Sequence, residues 1–123
     1  MKKQRMMMYV VCLLALLVLA LSVLPKGVPA VNPATGEISG EDITAQAEQS
    51  CKNVAAVLAA GGSCLENVIK TTCFLADMGD FAAFNAVYAK YFVSCPARSC
   101  VAAKTLPKNV LCEIEAIAYK KEN

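Results

Sequence analysis

The chain reads as an α+β domain with two helices on one face of a mixed sheet. Three observations predict it. Apolar residues recur at helical spacing over roughly 42–60 and 81–92. Three other stretches, 68–76, 98–106 and 110–119, are strand-like instead. The resulting order is helix, strand, helix, strand, strand.

Residues 1–30 stand apart from this domain. "MKKQR" is basic, 6–24 is 19 residues without a charge, and "PKGVPA" follows. A charged tip, an apolar middle and small residues at Val28 and Ala30 make the order of a secretory signal. The same block is long enough to span a bilayer as an anchor, which would give the protein a membrane contact through 6–24. Both readings remain open at this point. Residues 31–123 form the domain, enough for one core.

Within the domain, "VNPATGEISGE" is turn chemistry. Asp42 can cap the first helix, and Ile43, Ala47, Cys51 (or Ser50), Val54 and Leu58 form its buried stripe. Gly61-Gly62 ends it. In "VIKTTCFLA", Ile69, Thr71, Cys73 and Leu75 share one face and Val68, Lys70, Thr72 and Phe74 the other. Asp80 is placed to cap the second helix, whose stripe is Phe81, Phe84, Val87 (or Tyr88) and Tyr91. "LPKN" at 106–109 reads as a turn joining 98–106 to 110–119 as an antiparallel hairpin. In the last strand Val110, Cys112, Ile114, Ala116 and Ala118 make one apolar face, and Glu113 and Glu115 point the other way. Three strands make a thin sheet, so more strands or burial against other subunits is expected.

Charge and cysteine content exclude several functions. The overall +2 belongs to the N-terminal tip; from Val31 on, eight basic and ten acidic residues leave −2. A mildly acidic domain without clustered Lys/Arg does not suit a phosphate backbone, so nucleic acid is disfavoured as a partner. There is no histidine, which removes Ser-His and Cys-His catalysis. Without histidine or a C-x-x-C pair no zinc site is expected. Beyond Cys12, six cysteines remain (51, 64, 73, 95, 100 and 112). Behind a signal they would suggest three disulfides; as buried apolar thiols they fit the helix and strand patterns better.

The remaining chemistry lies in two residues. Arg98 is the only arginine outside the tip, and its fork of donors suits a carboxylate. Glu113 sits on an apolar strand that would desolvate it and raise its pKa, as a general acid/base needs. On spacing alone the simplest reading is an ion pair of Arg98 with Glu113 or Glu115. In the hairpin, Arg98 lies far from the turn, so a site shared across subunits fits a joint role better.

"NPATGEI" (32–38), "NVIKTTCFLADMGDFAAFNAVYAKYF" (67–92) and "PARSCVAAKTLPKNVLCEIEAIA" (96–118) together resemble the RidA/YjgF family of imine deaminases. The resemblance implies a chorismate-mutase-like protomer assembled as a barrel-shaped homotrimer, with sites in the clefts between subunits. It implies hydrolysis of 2-iminobutanoate and 2-iminopropanoate to 2-keto acids and ammonia, without metal or organic cofactor. Carried over, Arg98 of "PARS" binds the substrate carboxylate and Glu113 of "EIEAIA" activates water. Cys100 lines the pocket and Asn85 lies near it. An inactive family member serving as a ligand-binding or interaction module is the alternative. The family's first hairpin, with its G-P-Y-S-Q-A tyrosine, has no counterpart here. The block 6–24 stands in its place, as in an exported or anchored member, a degenerate one in which the block packs like the hairpin, or a gene with a misplaced start. The many cysteines suit the family's cytosolic habit. An endoribonuclease role, ascribed to some relatives, is poorly served by an acidic, histidine-free domain.

Overall fold

A computed structural model of the chain describes residues 9–11 and 30–120. The signal-or-anchor reading of 1–30 therefore falls outside the described residues, apart from Tyr9–Val11 and Ala30. Among the described residues no helix is long and apolar enough to cross a membrane.

The described elements are β1 (Tyr9–Val11), α1 (Ile43–Ala60), β2 (Val68–Leu75), α2 (Phe81–Tyr91), β3 (Ala97–Ala102) and β4 (Cys112–Ala118). The helices follow from the sequence pattern. Asp42 accepts a hydrogen bond from the Ala45 amide and starts α1. The buried stripe of α1 is the expected one, with Gln46 added. Gln46 bridges two segments: its Oε1 accepts from the Leu111 amide at 2.8 Å, and its Nε2 donates to the Gly40 carbonyl at 3.1 Å. Gly62 follows α1 at φ +76, a conformation that favours glycine. Before α2, Asp77 rather than Asp80 supplies the side-chain cap, accepting from the Gly79 amide at 2.7 Å. Asp80 occupies the N-cap position of α2 without a side-chain cap, because its own backbone is already helical.

The sheet order is β1-β4-β2-β3. This corrects the expected hairpin of 98–106 with 110–119. β3 runs parallel to β2, with Thr71 opposite Arg98 and Cys73 opposite Cys100. β4 lies antiparallel on the other side of β2, with Phe74 opposite Glu113. The connection crosses the C-terminal end of β2: Ala103 donates to the Leu75 carbonyl and Ala76 to the Leu111 carbonyl, each at 2.9 Å. The physical reason lies in side-chain burial. β4 alternates buried and half-buried residues throughout, as a central strand does, whereas β3 is mostly exposed and belongs at an edge. β1 pairs antiparallel with β4, Tyr9 opposite Ala118. A register shift between Val68 and Lys70 turns Val68 inward and leaves Ile69 45% exposed, reversing the expected faces at the start of β2.

Both helices cover one face of the sheet. The core there joins Val54, Leu58, Phe84, Val87 and Phe92 to Cys73, Leu75, Ile114 and Ala116. Cys51, Cys73 and Cys112 are buried in it as thiols, at the positions the patterns require. Burial pushes their pKa values up, that of Cys112 to about 11. A smaller cluster of Ala30, Val31, Leu106 and Val110 packs with Phe74 and Ala103. Because Phe74 points away from the helices, that cluster partly covers the opposite face.

Candidate active site

Helix α2 presents Phe81, Asn85 and Tyr88 at i, i+4 and i+7, hence along one stripe. Strand β3 aims Arg98 at that stripe. Arg98 Nη1 donates to Asn85 Oδ1 at 2.7 Å. Its Cζ lies 4.5 Å from the centroid of the Tyr88 ring and 5.4 Å from that of Phe81. The Tyr88 hydroxyl and Thr71 Oγ1 share a hydrogen bond of 2.7 Å. Thr71 is also the strand partner of Arg98, so β2, β3 and α2 close on one another here. Thr71 and Tyr88 are buried, while Arg98 and Asn85 are partly exposed. Burial pushes the Tyr88 hydroxyl pKa up against the Thr71 hydrogen bond and the Arg98 charge, so Tyr88 stays a neutral phenol at pH 7.

Cys100 follows two residues later on the same face of β3 and packs against the core. Burial pushes its thiol pKa up, with Arg98 opposing. A raised thiol pKa does not suit an activated nucleophile.

Glu113 lies elsewhere. It stands opposite Phe74, three residues along β2 from the level of Arg98, an odd number, and so projects from the face the helices leave open. At roughly 4.8 Å per strand and 3.3 Å per residue, the Cα atoms of Arg98 and Glu113 are about 14 Å apart. Glu113 is half-buried, and burial first, Glu115 second, pushes its carboxyl pKa up. Glu115, opposite Thr72, shares that open face. An ion pair of Arg98 with Glu113 or Glu115 inside one chain is thus ruled out by strand parity. The structure brings Arg98, Asn85 and Cys100 together and holds Glu113 apart.

Sequence reasoning missed the platform under Arg98. In the sequence Phe81 and, as the alternative to Val87, Tyr88 read as members of an apolar stripe, although their spacing around Asn85 puts all three on one side of the helix. Among the described residues no three His, Cys, Asp or Glu side chains cluster to hold a metal.

Residues 22–120 match the family described as Endoribonuclease L-PSP. The chain belongs to this family, the RidA/YjgF proteins. It is 45% identical over 103 residues to the 2-iminobutanoate/2-iminopropanoate deaminase of Escherichia coli K12, covering 80% of each chain. It is 52% identical over 92 residues to a Lactococcus lactis protein named as a regulator, AldR, covering 74% of this chain and 73% of that one. Among solved structures, that of E. coli TdcF with bound serine superimposes with a TM-score of 0.71 at 44% identity, over 75% of each chain. The α+β RidA/YjgF fold accounts for the two helices on a mixed sheet. Family membership supports deaminase-type chemistry at the level of the family, which also includes a protein named as a regulator.

Proposed function

We propose that this RidA/YjgF protein hydrolyses 2-imino acids, 2-iminobutanoate and 2-iminopropanoate, to 2-keto acids and ammonia in sites completed between the copies of a homotrimer. The observation that carries this reading is the partly exposed Arg98, its guanidinium pinned by Asn85 and lying over the Tyr88 ring, with Cys100 beside it. A planar fork held this way grips a carboxylate and fixes the adjacent C=N carbon. An imine is already electrophilic, so one base completes the chemistry. Glu113 takes a proton from water as the hydroxyl adds to the imine carbon. That proton passes to nitrogen and gives a carbinolamine; Glu113 then takes the carbinol hydroxyl proton and returns it to nitrogen as the C–N bond breaks, so that the C=O bond forms and ammonia leaves. The raised pKa of Glu113 makes it a better base than an ordinary carboxylate. Because one chain directs Arg98 and Glu113 to opposite faces, each site takes Arg98 from one copy and Glu113 from its neighbour. The half-buried open face and the edge position of β3 support contact of that kind.

The test couples the protein to threonine dehydratase and follows decay of the released imine. Arg98→Ala and Glu113→Gln are each expected to lose roughly 100-fold or more in kcat/KM. Mixing the two inactive variants and letting subunits exchange should restore about one quarter of the wild-type sites. No recovery in an exchanged mixture would exclude a shared site. Undiminished decay with Arg98→Ala would exclude the clamp. Wild-type protein that binds 2-keto acids but leaves imine decay unchanged would make the chain a ligand-binding module, a reading that the regulator name of its L. lactis relative favours.

A further inference from the structure

We infer that Tyr88, assisted by Phe81, is a positioning residue that sets the plane of the Arg98 guanidinium and so presents its donors to a substrate carboxylate; this rests on the proposed role of Arg98 as substrate clamp. A guanidinium at the edge of a sheet has long freely rotating torsions, and a single hydrogen bond cannot fix its plane. Asn85 holds one atom, Nη1. A flat ring 4.5 Å below Cζ supplies the missing restraint, because a stacked guanidinium gains from lying over the ring face. The Phe81 ring at 5.4 Å is the second wall. Tyr88 is fit for the task because it is itself immobilised. Its ring stacks on Phe92 at 4.3 Å between centroids, and its hydroxyl is tied to Thr71 on β2. Thr71 is the strand neighbour of Arg98, so ring and guanidinium are referenced to the same pair of residues. The ring, not the hydroxyl, faces the cation. Packing on Phe92 holds the plane of the ring, and the hydroxyl bond adds to that restraint.

This separates two variants of one residue. Tyr88→Phe keeps the ring and its packing on Phe92. Tyr88→Leu removes the ring. Binding of 2-oxobutanoate, the expected product, is measured by calorimetric titration. Tyr88→Leu should weaken it about tenfold and Tyr88→Phe less than about twofold. The same order should appear in KM for the imine, with kcat changing less. A second readout is independent of ligand. The chain has only two arginines, Arg5 and Arg98. The side-chain NMR signals of Arg98 should be displaced by the ring currents of Tyr88 in the wild type and in Tyr88→Phe, and should move toward the values of arginine in an unstructured peptide in Tyr88→Leu. Phe81→Leu, on the half-buried ring, is measured in parallel with a smaller expected displacement, so loss of fold in the buried-site variant does not remove the test. An Arg98 signal unmoved in the ring-deleted variants overturns the inference, as does equal weakening by Tyr88→Phe and Tyr88→Leu. If the wild type neither binds 2-oxobutanoate nor consumes imine, the proposed function fails, while the Arg98 signals still decide whether the ring sets the guanidinium.

Discussion

The two faces of the sheet are built from alternate residues of the same strands, yet they meet different surroundings. On the helix-covered face Thr71, Cys73, Leu75, Cys112, Ile114, Ala116 and Ala118 are at most 1% exposed. On the other face Thr72, Phe74, Glu113, Glu115 and Ile117 are only half-buried, and Val101 is 47% exposed. The first is a finished core, close-packed by two helices. The second carries phenylalanine, isoleucine and a desolvated carboxylate, and among the described residues a loop cluster covers part of it. The difference teaches where each kind of chemistry can live. The closed face supplies rigidity, and Arg98 takes its fixed position from the edge of that rigid body. The open face supplies a carboxyl group whose environment is completed by whatever covers the sheet.

The largest contrast should appear in thiol reactivity. Cys51, Cys73 and Cys112 belong to the closed face and its helix, whereas Cys64 and Cys95 are exposed. Labelling with a thiol reagent under native conditions should modify Cys64 and Cys95 first. The three buried thiols should react only through opening of the core, slower by roughly 1,000-fold or more. Peptide mass mapping over time reads this directly. Comparable rates for Cys73 and Cys95 would mean that the closed face is not closed.

Next in size is the cost of cutting a side chain on each face of β4. Ile114 is 1% exposed beneath the helices. Ile114→Ala should cost about 2–5 kcal/mol of unfolding free energy in urea. Ile117, three residues on and half-buried on the open face, should cost about 1 kcal/mol in an isolated chain. If copies assemble on this face, Ile117→Ala should also lower the sedimentation mass at low micromolar concentration. Ile114→Ala should leave the mass unchanged at temperatures where it is folded. Equal effects of both substitutions on stability, at any protein concentration, would erase the distinction between the faces.

Much of this asymmetry was legible in the sequence. The stripe from Ile43 to Leu58 and the alternation from Val110 to Ala118 specify burial through periods of 3.6 and 2, which need no knowledge of partners. Arg98, Asn85, Cys100 and Glu113 could be picked out from residue types and the family pattern. Strand pairing could not. A parallel crossover and an antiparallel hairpin place the same alternating segments in different neighbourhoods, and the pattern of 98–106 is compatible with both. The difference matters, because a β3–β4 hairpin would make Arg98 a neighbour of the last strand, whereas β2 lies between them. The inserted β2 instead makes parity relative to Thr71 and Phe74 the deciding quantity. The platform of Tyr88 was hidden for a different reason. An aromatic on a helical stripe is usually core, and only the position of Arg98 across from it reveals its second use.

The smallest expected effect discriminates most sharply between chemistry and architecture on the open face. The carboxyl pKa of Glu113 is raised above its ordinary 4.5, by burial first and by Glu115 second. A raised carboxyl pKa means that the folded chain binds this proton more tightly than the unfolded chain does. The charged group therefore opposes folding at neutral pH, and the opposition fades as pH falls through the raised value toward 4.5. Glutamine carries no charge at either pH. Glu113→Gln should thus melt slightly higher than wild type at pH 7, with the two curves converging below about pH 4.5. The same substitution should lower kcat/KM for imine hydrolysis by roughly 100-fold or more. Stability gained where activity is lost is what a carboxylate kept in an unfavourable place for its basicity produces. A drop in melting temperature at pH 7 would reverse the argument. It would mean that the charged form of Glu113 is held by donors from a neighbouring copy, and that its first duty is to join the subunits.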